Sequence, residues 1–152
     1  MKPRLDPNAA SPDAVRALLA LSAYVESCGL ERSLLELVKI RASQINGCAY
    51  CLHMHTRDAR ARGETEERLY LLSAWRESPL YTERERAALA WTEALTRIAD
   101  THAPDQDYAQ VSAEFAPDEL VKLTVAIGLI NAWNRFAIGF RAVHPVREAK
   151  AA

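Results

Sequence analysis

Apolar residues recur at intervals of three and four along most of the chain, the spacing of one helical face. Alternating apolar–polar runs of the kind that mark a strand are nearly absent. Capping and breaking residues divide the pattern into segments. Ser11-Pro12-Asp13 opens a helix through Leu18, Leu19, Leu21 and Val25, and Gly29 suits its end. Ser33-Leu34-Leu35-Glu36 has capping-box spacing ahead of Leu37, Ile40 and Ile45. Asn46-Gly47 breaks the chain, and the next helix is expected from about Cys48 to Arg62, stopped by Gly63. Thr65-Glu66-Glu67 starts a short helix through Leu69, Leu72 and Trp75. Thr82-Glu83-Arg84-Glu85 is a second capping box, leading a longer helix through Leu89, Trp91, Leu95 and Ile98. Pro104 to Phe115 predicts another short helix, and Pro117 opens the last, through Leu120, Leu123, Ile127, Ile130 and Asn134.

About seven helices joined by short loops predict an all-α, single-domain helical bundle spanning 1–152. The last helix is apolar around its circumference, with Leu123, Val125, Ile127, Leu129, Ile130, Trp133 and Phe136. It is expected to be the central helix and also to turn one side toward another subunit. Trp75, Trp91 and Trp133 read as core.

The totals add exclusions. The 152 residues are 49% hydrophobic and 26% charged, with 19 basic and 20 acidic residues. That is an ordinary globular composition with no basic excess for nucleic acid. Met1-Lys2-Pro3-Arg4 is followed by no apolar run, so no signal peptide is expected. The most apolar stretch, 120–140, is interrupted by Lys122, Thr124, Asn131, Asn134 and Arg135, which argues against a membrane span. A cytoplasmic location is the expectation, and there three cysteines are not a disulfide framework.

A close pair in such a compartment reads as catalytic or metal-binding. Cys48 and Cys51 are three residues apart and His55 follows four later, so on a helix the three share one stripe. Thiols at a helix start are drawn toward thiolate by unpaired N–H groups and the macrodipole. His55 is placed to carry a proton, and Glu36, from the preceding helix, to orient the imidazole.

Other readings stand beside this one. Buried cysteines are often small hydrophobes, and zinc is the rival ligand. A closed zinc site needs about four ligands; Cys48, Cys51 and His55 offer three, with no second CxxC to complete them. Glu36, as the fourth residue of Ser33-Leu34-Leu35-Glu36, reads locally as a cap. Tyr50 fits packing as well as chemistry, His53 a surface beside the site, and Cys28 a buried bystander. His102 and His144 sit in loop-like contexts beside prolines. No metal or organic cofactor is required by these residues.

Glu36, then Cys48-Ala49-Tyr50-Cys51 twelve positions on, then His55, resembles the signature of the alkyl hydroperoxidase D-like (carboxymuconolactone decarboxylase) family. The flanks fit: Lys39-Ile40-Arg41-Ala42-Ser43-Gln44-Ile45-Asn46-Gly47 before the pair, Gly63-Glu64-Thr65 after it, then Trp75-Arg76-Glu77-Ser78. The core resemblance covers about 14–96, and Ile130-Asn131-Ala132-Trp133-Asn134-Arg135 is similar to the closing helix of single-domain members.

The resemblance implies an all-α fold, a homo-oligomer (trimer or hexamer), and thiol-dependent peroxidase and disulfide-reductase activity. It implies that Cys51 attacks a hydroperoxide, Cys48 resolves the product to a disulfide, and His55 with Glu36 relays protons, with Tyr50 in the motif between the thiols. The implied reductant is an external dithiol, lipoyl-bearing or thioredoxin-like. Dipole reasoning alone puts the more acidic thiol at Cys48, nearer the helix start. Members that decarboxylate carboxymuconolactone generally lack the cysteine pair. A lactone decarboxylase or isomerase using His55 and Glu36, and a redox sensor without catalysis, are the rival functions.

Overall fold

The computed structural model describes residues 1–146. Among them every segment expected to be helical is helical: α2 (Pro12–Ser27), α3 (Arg32–Asn46), α4 (Ala49–Ala61), α5 (Glu66–Leu71) with the 3-10 turn Leu72–Glu77, α6 (Glu83–Thr96), α8 (Asp105–Glu114) and α9 (Pro117–Gly139). Two single turns were not expected, α1 (Pro7–Ala10) and α7 (Ile98–Thr101). The second takes Ile98 out of α6, because the chain leaves helical geometry at Arg97. No strand occurs among the described residues.

Several of the anticipated caps form. Thr82 and Glu85 make the reciprocal capping box, and Thr65 accepts the Arg68 N–H. Two do not. Ser11 makes no side-chain cap bond. Ser33 is not a cap at all, because α3 begins earlier, with the Leu35 N–H donating to the Glu31 carbonyl at 3.0 Å. Glu36 therefore lies inside the helix, and its carboxylate is free for other partners.

α3 is the most enclosed helix. Leu34, Leu35 and Val38 join a core with Val25 of α2, Ala87 and Trp91 of α6, Val111 of α8 and Leu123 and Ile127 of α9. Leu37 and Ile40, on another side of α3, join a second core with Ala59 of α4, Leu72, Trp75 and Leu89. Removing a side chain as fully buried as Leu37 typically costs about 2–5 kcal/mol. α9 packs on α2, α3, α4, α6 and α8, as expected of a central helix.

Trp75 and Trp91 are buried as expected, whereas Trp133 is only partly so and packs at the margin of the first core. Cys28 is half-buried, not buried, since α2 ends at that residue. The Trp75 indole donates to Glu93 at 2.8 Å, and Arg41 and Arg76 meet the same carboxylate, fixing α3, α6 and the 3-10 turn together.

Candidate functional site

Gly47 builds the turn on which the cysteines sit. It caps α3 in the left-handed region (φ 70°, ψ 32°), its N–H reaching the carbonyls of Ser43 and Gln44. The Cys48 N–H donates to the Ser43 carbonyl at 3.0 Å. A side chain at this conformation is disfavoured, which is why glycine serves here. The chain reverses and α4 begins at once, packed against α3.

Cys48 is the N-cap of α4 with extended backbone, not a member of its first turn. The expected stripe therefore holds for Cys51 and His55 but not for Cys48. Its sulfur still meets the pair, since Cys48 Sγ accepts the Cys51 N–H at 3.3 Å and the two residues are joined as a disulfide with Cα atoms 5.4 Å apart. Both are buried.

The helix pair also brings Glu36 to His55. Glu36 Oε2 lies 3.0 Å from His55 Nδ1. Burial by itself pushes the Glu36 carboxyl up, but the His55 hydrogen bond and the Lys39 charge outweigh it and hold the acid at about 2. An ionised carboxylate can only accept, so Nδ1 carries the hydrogen and Nε2 is left to exchange a proton. The local reading of Glu36 as a cap is thus replaced by a partnership with His55.

Lys39 Nζ lies 3.2 Å from Glu36 Oε1 and also bonds Glu26, while Arg62 reaches Glu36 Oε1 at 2.7 Å. Glu26 and Arg62 join this cluster through contacts that cross helices and leave no local spacing in the sequence. Glu36, His55 and Asp58 place ligand atoms within 4.8 Å of one another. Two cations already sit on the Glu36 carboxylate, and their charge opposes a dication there.

A cavity of about 640 Å³ opens over this floor. Cys51 and His55 line it and Cys48 does not. Its walls are mainly apolar, with Leu129, Ile130, Trp133 and Phe136 from α9. The Trp133 indole donates to Ser22 Oγ at 3.0 Å, and its ring meets Phe136 edge-on at 5.9 Å. Tyr50 and Met54 line the cavity with exposed rims. The N-terminal residues Pro3 and Leu5 also line it, held by the Arg4 N–H donating to the Phe140 carbonyl at 2.9 Å. His53 stacks on His144, which lies in the loop expected for it, with ring centroids 4.7 Å apart.

Behind the turn, α9 supplies a buried amide network. Asn46 Nδ2 donates to Asn131 at 2.9 Å and to Asn134 at 2.8 Å. Asn134 Nδ2 donates to Ser43 Oγ at 3.0 Å, and Ser43 donates to the Lys39 carbonyl at 2.7 Å. The asparagines thus hold the end of α3 from which Cys48 hangs.

No helix among the described residues is long and apolar enough to cross a membrane. A sequence model of the carboxymuconolactone decarboxylase family matches residues 12–94. The chain is 41% identical over 128 residues to the uncharacterized protein YdfG of Bacillus subtilis, covering 84% of this chain and 87% of that one. It is 32% identical to the uncharacterized protein YnjA of Escherichia coli over 66% of this chain and 54% of that one. A solved protein of unknown function from Agrobacterium tumefaciens, provisionally named antioxidant defence protein AhpD, is 52% identical with a TM-score of 0.94, over 96% of this chain and 100% of that one. The debrominase Bmp8, 18% identical over 90% of this chain and 74% of its own, shares the fold with a TM-score of 0.81.

Proposed function

Because the chain belongs to the carboxymuconolactone decarboxylase family, in an AhpD-like fold that carries a CxxC pair, we propose that it is a thiol-dependent hydroperoxide reductase cycling Cys48 and Cys51. The observation that carries this reading is that Cys51 and His55 line the cavity while Cys48, bonded to Cys51, does not. Dipole reasoning favoured Cys48 as the attacking thiol; access to the cavity favours Cys51.

His55 Nε2 takes the Cys51 thiol proton, and the thiolate attacks one peroxide oxygen. The O–O bond breaks, the alkoxide leaves with the proton from His55 as an alcohol, and Cys51 becomes a sulfenic acid. The Cys48 sulfur then attacks the Cys51 sulfur; a disulfide forms and water leaves. An external dithiol returns two electrons and two protons, its first thiolate attacking the cavity-facing sulfur of Cys51 and displacing Cys48. The Cys51 N–H aimed at Cys48 Sγ suits that sulfur as the leaving thiolate. The apolar walls suit an organic hydroperoxide over hydrogen peroxide.

The test is peroxide-dependent oxidation of dihydrolipoamide by the wild type, Cys48→Ser and Cys51→Ser. Turnover should vanish in both variants, and Cys48→Ser treated with peroxide should carry sulfenic acid on Cys51 by mass spectrometry. Equal rates in all three proteins would end the proposal.

A further inference from the structure

Glu36 does not meet His55 in isolation. Lys39 bridges Glu36 Oε1 at 3.2 Å and Glu26 Oε1. Arg62 reaches Glu36 Oε1 at 2.7 Å and Glu26 Oε2 at 4.0 Å. The four side chains, from α2, α3 and the end of α4, close a ring of alternating charge around one oxygen of Glu36. The other oxygen, Oε2, is the one that meets His55.

The two cations are not equivalent. The Arg62 side chain is 38% exposed, and water can replace its guanidinium. The Lys39 side chain is 10% exposed and shares the cavity floor with Cys51 and His55. A nearly buried ammonium carries a desolvation cost that its two close carboxylates offset.

We propose that Lys39 is a positioning residue of the thiol chemistry: it pins Glu36 Oε1 so that Oε2 stays presented to His55 Nδ1 and the imidazole stays aimed for proton exchange at Cys51. This rests on the thiol reading above and adds a residue to it. Without the ammonium, Oε1 loses its buried partner and is held only by the more exposed Arg62, so the carboxylate is less firmly oriented. The charges facing Glu36 are then Glu26 from α2 and His55, Asp58 and Arg62 from the α4 side. Burial acts on Glu36 with less opposition, and its acid moves up.

Lys39→Met keeps the apolar stem, and Lys39→Arg keeps the charge. Steady-state turnover of an organic hydroperoxide with dihydrolipoamide is followed from about pH 4 to about pH 8, where acid–base groups shape the rate. In Lys39→Met, kcat should fall at least about tenfold, a fraction of what proton transfer contributes, while KM stays within about twofold. The acid limb of its profile should move to higher pH, and Lys39→Arg should recover most of the loss. A wild-type kcat, or a loss with an unmoved acid limb, overturns the inference. If circular dichroism shows Lys39→Met unfolded, Lys39→Gln is judged by the same criteria. Cys51→Ser in the same assay separates the two levels. Turnover there at the wild-type rate defeats the thiol reading, whereas an inactive Cys51→Ser beside a fully active Lys39→Met defeats only the role of Lys39.

Discussion

His55 Nδ1 stands 3.0 Å from Glu36 Oε2 across 19 residues of sequence and between two helices. One left-handed residue, Gly47, lets α4 fold back along α3 closely enough for this contact. The contact fixes the tautomer of the imidazole, with the hydrogen on Nδ1 and Nε2 left open.

The depressed acid of Glu36 ties stability to pH. Its folded value of about 2 lies below the ordinary 4.5, so its contribution is fully present above about pH 4.5 and is lost as pH falls toward about 2. Thermal unfolding of the wild type should weaken through that window. Glu36→Gln, which cannot ionise, should melt lower at neutral pH and show a shallower slope between about pH 5 and about pH 2. Parallel curves for the two proteins would contradict the linkage.

Asn134 is buried and serves Ser43 and Asn46 together. Asn134→Ala removes one hydrogen bond each from buried Ser43 and half-buried Asn46, which keep their bonds to the Lys39 carbonyl and to Asn131. Urea unfolding should report a loss of about 1–3 kcal/mol, from roughly 0.5–1.5 kcal/mol for each hydrogen bond removed. A change below about 0.5 kcal/mol, the range of ordinary surface substitutions, would mean that water or repacking satisfies the site.

Trp133 forms part of the apolar wall. In Trp133→Ala, kcat/KM for cumene hydroperoxide should drop about tenfold, the scale of one lost apolar contact surface. The value for hydrogen peroxide, too small to touch that wall, should stay within about twofold. Equal losses for both substrates would point to damage at the thiols instead.

Much of the fold was legible because helix ends are written locally. Thr82 with Glu85, Thr65, Pro117 and the left-handed Gly47 and Gly63 each act within four residues. Ser33 misled for the same reason: its spacing to Glu36 suits a cap, yet Glu31 starts the helix first. The Cys48–Cys51–His55 spacing pointed to the candidate site, although Cys48 is the cap and not part of the helical turn. The ring of Glu26, Lys39, Glu36 and Arg62 was out of reach, since three separate elements must pack before those charges meet. Asn131 and Asn134 stood out as polar breaks in an apolar helix, but their partners Asn46 and Ser43 lie 85 to 91 residues away and leave no local signal.

The bond from the Arg4 N–H to the Phe140 carbonyl has a practical corollary. Pro3 and Leu5 form part of the doorway above Cys51. An affinity tag fused ahead of Met1 is thereby tethered at that doorway, where it competes with whatever enters. On the proposed thiol chemistry, rates of tagged and cleaved protein should differ most for the bulkiest peroxides and least for hydrogen peroxide.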